Sequence, residues 1–229
     1  MPTTTADSAP QAAPRSRRAG AAKSRLPQII TAVLAVVLVV AMAASTKWLS
    51  PAQVDQLTPK PFDPAAFAAE KFPEIKTKVT EKAVDLTVLA PAVTADLNAA
   101  GAKYGRDLGS GKFIFPVKAT GTVKSVDDTW IILDTPDIAG WTVRVPVGTA
   151  LNGSAIRDVT GDISFGDFTD QTTYQFVADQ LRDQVKAQVL DPLGDKAALT
   201  GKTVTVTGAW ISGGAPNQFI VQPVSVEAR

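Results

Sequence analysis

The 229 residues contain no cysteine and no histidine. The first absence excludes disulfides, thiol nucleophiles and Cys/His zinc sites. The second excludes histidine-based triads and removes the side chain best suited to proton transfer near neutral pH. An enzyme built on this sequence would depend on carboxylates, Lys, Tyr, Ser or a hard metal held by carboxylates. Acids are also nearly missing from the start of the chain, where Asp7 is the single Asp or Glu before Asp55.

That acid-poor region holds the longest apolar run. Leu26 to Thr46 is 21 residues without a charge, and its centre, Ile29 to Ala44, has one hydroxyl, Thr31. As a helix it spans roughly 31 Å, close to the thickness of a bilayer's hydrocarbon core. Arg15, Arg17, Arg18, Lys23 and Arg25 precede it and only Lys47 follows closely. The positive-inside rule therefore keeps the N-terminus cytoplasmic and exports Lys47 to Arg229. A cleaved signal peptide also fits, with Ala41-Met42-Ala43 as a small-x-small cleavage site. The long Pro/Ala-rich leader favours an uncleaved signal-anchor instead. A core helix of a soluble protein would show a polar face, and this segment has none.

Removing the five basic residues and one acid that precede the run leaves 18 Lys+Arg against 21 Asp+Glu, a charge of −3. Nucleic acid is a poor partner for such a body, because phosphate binding needs clustered cations. The expected organisation is a disordered cytoplasmic tail (1–25), a transmembrane anchor (26–46), a Pro-containing linker (47–62) and an extracytoplasmic domain (63–229).

Within that domain Asp63-Pro64 signals a helix start, with Pro73 expected to bend or divide the helix. Asp85 is a candidate cap for a second helix running from Leu86 toward Ala100. The period then changes to two. Phe113, Phe115, Val117, Ala119, Gly121 and Val123 alternate with polar residues. Strands follow at Trp130–Leu133 and Trp141–Val147. A long helix, capped by Thr169 or Asp170, carries an apolar stripe through Tyr174, Val177, Leu181, Val185 and Val189. Val204–Trp210 and Phe219–Val226 complete the pattern, with a register break near Pro223. After the helical pair the order is β-β-β-α-β-β, that of an OB-like small barrel. The fold class is α+β.

Motifs that carry chemistry are scarce. Gly109-Ser110-Gly111-Lys112 lacks the spacing and the Ser/Thr of a phosphate loop and reads as a turn. Asp127, Asp128, Asp134 and Asp137 crowd one hairpin without calcium-loop spacing and read as turn residues. Trp130, Trp141 and Trp210 are either core or a sugar-stacking surface. The least regular segment, Asn152–Asp158 followed by Ile163–Gln171, is the candidate binding region, with Asn152, Arg157, Asp158, Asp167, Thr169 and Gln171 as candidate ligand contacts. Two readings fit it: an anionic or hydroxylated ligand held at a helix start, or a capping and loop-packing network. No catalytic residue, cofactor or metal is expected.

Five stretches resemble an uncharacterised bacterial family of predicted periplasmic lipoproteins. They are Phe62–Ile75, Ala83–Leu89, Lys103–Val123, Gly148–Leu181 and Leu199–Trp210. The resemblance implies a barrel related to OB folds and genes beside those of sugar ABC transporters. ABC-transporter subunits or a sugar-binding protein are thus the implied partners. Lipoprotein members carry a lipidated cysteine after the apolar segment, where this chain has Ala43-Ala44-Ser45-Thr46. The expected function is therefore a non-enzymatic, membrane-anchored accessory to carbohydrate uptake, with a stand-alone sugar-binding module as the alternative and a carboxylate-based hydrolase as the least favoured.

Overall fold

The computed structural model describes residues 25–47, 49–50 and 62–229. The tail expected at 1–25 and the linker expected at 47–62 therefore lie mostly outside the described residues. The chain divides into two units, Met1–Lys60 and Pro61–Arg229. In the first, Leu26–Ser45 forms α1, none of whose residues is buried. The helix is long and apolar enough to cross a membrane. Its one mid-helix hydroxyl, Thr31, donates to the Pro27 carbonyl at 2.9 Å, so the helix itself satisfies it; the other, Ser45, is the helix's last residue.

In the second unit the Asp63 carboxylate accepts from the Ala65 and Ala66 amides and starts α2, Pro64–Lys82. Ala68, Phe72, Ile75 and Val79 form its buried face at helical spacing. Pro73 does not divide the helix. It lies on the exposed face, where water can satisfy the carbonyl that its missing N–H leaves unpaired. The second expected helix is two helices, α3 (Leu86–Ala95) and α4 (Leu97–Tyr104). Asp96 breaks them by adopting an extended backbone and capping α4 through the Asn98 and Ala99 amides. A competing N-cap thus overrides the continuous apolar pattern.

The sheet has eight strands. Two short ones, β1 (Val84–Asp85) and β2 (Arg106–Gly109), pair with the central β3 (Lys112–Val126). The others are β4 (Trp130–Asp134), β5 (Thr142–Pro146), β6 (Thr203–Ile211), β7 (Gln218–Ile220) and β8 (Gln222–Ala228), ordered β7-β5-β4-β3-β6-β8. β7 and β8 end that path on opposite sides, yet only Val221 separates them in the chain. The Val221 amide donates to the Arg144 carbonyl, extending the parallel β5–β7 pairing. The sheet therefore curls until its ends meet. The break expected near Pro223 sits at a bulge, where Pro223 has no N–H to offer β6 and Gly208 faces it. A Cβ at Gly208 would lie 2.0 Å from the Gln222 carbonyl oxygen, so only glycine allows this approach.

Alternate residues of the strands fill the inside of the curl, with Phe115, Val117, Val143, Val206 and Phe219 fully buried. A second core lies on the outer face. There Ile114, Ala209 and Val224 meet α2, the short α5 (Gly153–Asp158) and α6 (Gln171–Val185). Ile114 and Pro116, both at polar-face positions of the alternation, are buried for this reason. A π-helical turn, Lys186–Leu190, continues α6 and lets two successive residues, Val189 and Leu190, face inward.

Candidate functional site

The segment singled out for its polar residues wraps α5 and the start of α6. Asn152 caps α5, its side chain accepting from the Ser154 amide at 2.9 Å. Its own amide donates to Gln222 Oε1 at 2.8 Å, and Gln222 Nε2 donates to the Ala150 carbonyl. Gln222, buried on β8, ties this loop to the sheet. Strand position alone does not flag it, because a polar residue there reads as surface.

Arg157 is buried, and all three of its nitrogens are engaged. Nε and Nη2 donate to the two Asp158 oxygens at 2.7 and 3.0 Å, and Nη1 donates to the Tyr174 carbonyl at 3.0 Å. The guanidinium lies 3.5 Å from the centre of the Tyr174 ring. The Tyr174 hydroxyl donates to Asp158 Oδ1 at 3.1 Å. Burial first, and the Asp158 charge second, push the Tyr174 phenol above its ordinary 10.0.

Asp167 accepts from the Ser164 amide at 2.8 Å. Thr169 donates to Asp170, which caps α6 through the Thr173 amide at 2.7 Å. Hydrogen bonds from Thr173 hold the Asp170 carboxyl below its ordinary range. Gln171 is exposed on the first turn of α6. The structure thus brings Arg157 and Asp158 together under Tyr174 and places Asn152 beside Gln222. Asp167 and Thr169 lie in turn and cap contacts.

Nearby, Lys78 donates to Asp162 at 2.9 Å, both side chains being about half exposed. This bond, more than the opposing burial, holds the Asp162 carboxyl below its ordinary 3.8. Because the folded value is the lower one, its contribution to stability is complete above 3.8 and fades as pH falls through the folded value. Solvent limits it to well under about 1 kcal/mol. In Lys78→Gln, an NMR titration should show the Asp162 midpoint rising; an unmoved midpoint would refute this origin.

Trp130, Trp141 and Trp210 differ in setting. Trp210 is buried, stacked on Phe115 at 5.2 Å between centroids. Trp130 lies on the outer face with the Arg144 guanidinium 5.5 Å from its ring. Trp141 is half-buried and stacks on Phe219 at 4.3 Å. It lines two clefts. One, of about 410 Å³, adds Thr87, Thr94 and Asp137. The other, of about 150 Å³, adds Leu97, Trp210 and Asn217. The hairpin acids do not gather: Asp127 accepts from the Thr129 and Trp130 amides as a turn cap. Among the described residues no three acids lie close enough to share a metal ion.

The model of the family described as "Predicted periplasmic lipoprotein (DUF2291)" matches residues 34–227. The chain belongs to this family. A crystal structure of an OB-fold protein from Thermotoga maritima superposes with a TM-score of 0.60 at 19% identity, over 74% of this chain and all of that one. At that identity the likeness shows the fold alone. No curated protein matches the sequence. The family and the apolar α1 together support a membrane-anchored, extracytoplasmic protein. This DUF2291 member has no thiol in its 229 residues to carry a lipid.

Proposed function

We propose that this DUF2291 protein is a non-catalytic solute-binding accessory, held by one transmembrane helix with its N-terminus in the cytoplasm and its OB-like domain outside. The solute is a neutral sugar, and the partner is a transporter of the ABC type or its sugar-binding protein. The observation that carries this is Trp141. An indole held flat by Phe219 and left half-open offers a rigid apolar face for a sugar ring. Thr87, Thr94, Asp137 and Asn217 supply hydroxyl, carboxylate and amide partners at its edges. The lack of histidine and cysteine favours binding over catalysis.

The test is thermal melting of the full chain in detergent against a panel of neutral mono- and disaccharides. A true ligand at 100 times its Kd should stabilise by about 2.7 kcal/mol, which is roughly 5–10 °C for a domain of this size. Trp141→Ala should keep its fold and lose the shift. A flat panel, or a shift unchanged in Trp141→Ala, would overturn the reading. Affinity capture through the exported domain should recover transporter subunits.

A further inference from the structure

The remaining clefts differ from the Trp141 clefts in charge, and one is strongly cationic. It lies where the ends of α2 and α4 meet the start of β2, with a volume of about 410 Å³. Lys82, Lys103, Tyr104, Arg106 and Thr160 supply its polar lining, with no carboxylate among the lining residues. Three cations thus gather in a body whose overall charge is negative.

Lys82 and Lys103 stand in the last turns of their helices, where a cation complements the carbonyl end. That duty does not extend to Arg106, which opens a strand. Its side chain is nevertheless held in place. Nη1 donates to the Asp158 carbonyl, and the stem lies against Gly161. At Gly161 φ is +77° and a Cβ would come within 3.1 Å of Arg106 Nε. Among the described residues, Nε and Nη2 of Arg106 make no hydrogen bond, so two donor groups remain for a ligand.

The acids around the cleft are already matched elsewhere. Asp158 is engaged by Arg157 and Tyr174, and Asp162 by Lys78. Asp107 accepts from the Gly109 amide. Among the described residues, none of Lys82, Lys103 and Arg106 forms an ion pair within 4.0 Å. Lys82 acts on Asp162 only at longer range, and the Lys103 ammonium lies 4.7 Å from the centre of the Tyr104 ring. Three cations without a contact ion pair around one concavity, one of them an anchored guanidinium, form an electrostatic trap for a compact dianion.

We propose that this cleft binds the phosphoryl group of a small ligand. Arg106 is the forked donor, Lys82 and Lys103 the point charges, and the Tyr104 and Thr160 hydroxyls the neutral partners. The phosphoryl group belongs either to a soluble phosphate ester or to an anionic lipid headgroup. The site is separate from the Trp141 clefts and does not depend on the sugar reading.

The experiment uses the full chain in phosphatidylcholine nanodiscs and follows thermal melting. One arm adds sodium phosphate or glycerol 3-phosphate, with glycerol as the neutral control. A second arm replaces part of the lipid with phosphatidylglycerol. A raised midpoint in the first arm assigns a soluble ester, and one in the second arm alone assigns a headgroup. In either case Arg106→Gln should weaken the response by roughly tenfold or more, and added salt should weaken it further. Lys82→Gln/Lys103→Gln, a second route into the same site, should act in the same direction. Trp141→Ala should leave the response intact, which separates this site from the sugar site. No response in either arm, or an undiminished response in both folded variants, would overturn the proposal.

Discussion

Gly153→Ala is expected to cost this domain on the order of 3 kcal/mol or more, a fall in melting midpoint of roughly 6–12 °C. A Cβ built at Gly153 would lie 1.7 Å from the Ala178 carbonyl oxygen and 2.6 Å from its carbon. Both are backbone atoms of α6, so no side chain can rotate away. α5 would have to lift off α6 and take Ala155 and Ile156 out of the outer core. The sign makes the test sharp. In an open helix, alanine is favoured over glycine by about 1 kcal/mol. A melt unchanged or raised would mean that the two helices do not approach this closely.

The second large effect is expected at Arg157. Arg157→Met should destabilise by about 3–5 kcal/mol, because it leaves the largely buried Asp158 carboxylate without its cation. The Asp158 side chain is 20% exposed and that of Arg157 8%. Arg157→Lys should recover little, since an ammonium cannot span both carboxylate oxygens and also lie flat over the Tyr174 ring. Arg157→Met/Asp158→Leu should lose less than the sum of its single variants by more than about 1 kcal/mol, because the groups act as one unit. Chemical denaturation of the four proteins reads this directly. Additive losses would mean that the pair is not coupled.

These two positions show what local pattern can and cannot carry. Asp63 before Pro64 and Asp170 before α6 were readable because a cap acts on amides two or three residues away. The alternation from Phe113 to Val123 was readable because a strand has a fixed period of two. Asp96 is not legible as a break because the apolar pattern runs across it, although it is itself a good cap residue. In the sequence Arg157 and Asp158 read as polar neighbours in an irregular segment. The partner that binds them together, Tyr174, reads there as part of a helix stripe. Its hydroxyl and its ring face two different neighbours, a double role that periodicity does not reveal.

The sequence by itself determined the apolar helix, the basic cluster that precedes it, the absence of thiol and imidazole side chains, and the alternation of the long strands. Each of these depends on residue type or on neighbours within a few positions. Only the tertiary structure decided which tryptophan is core and which stays half-open, why Ile114 and Pro116 are buried on the polar face of a strand, and that Lys82, Lys103 and Arg106 share a cleft. Those outcomes depend on which surfaces meet after the sheet curls and the helices cover it. Residues far apart in the chain set that meeting, and no local spacing records it.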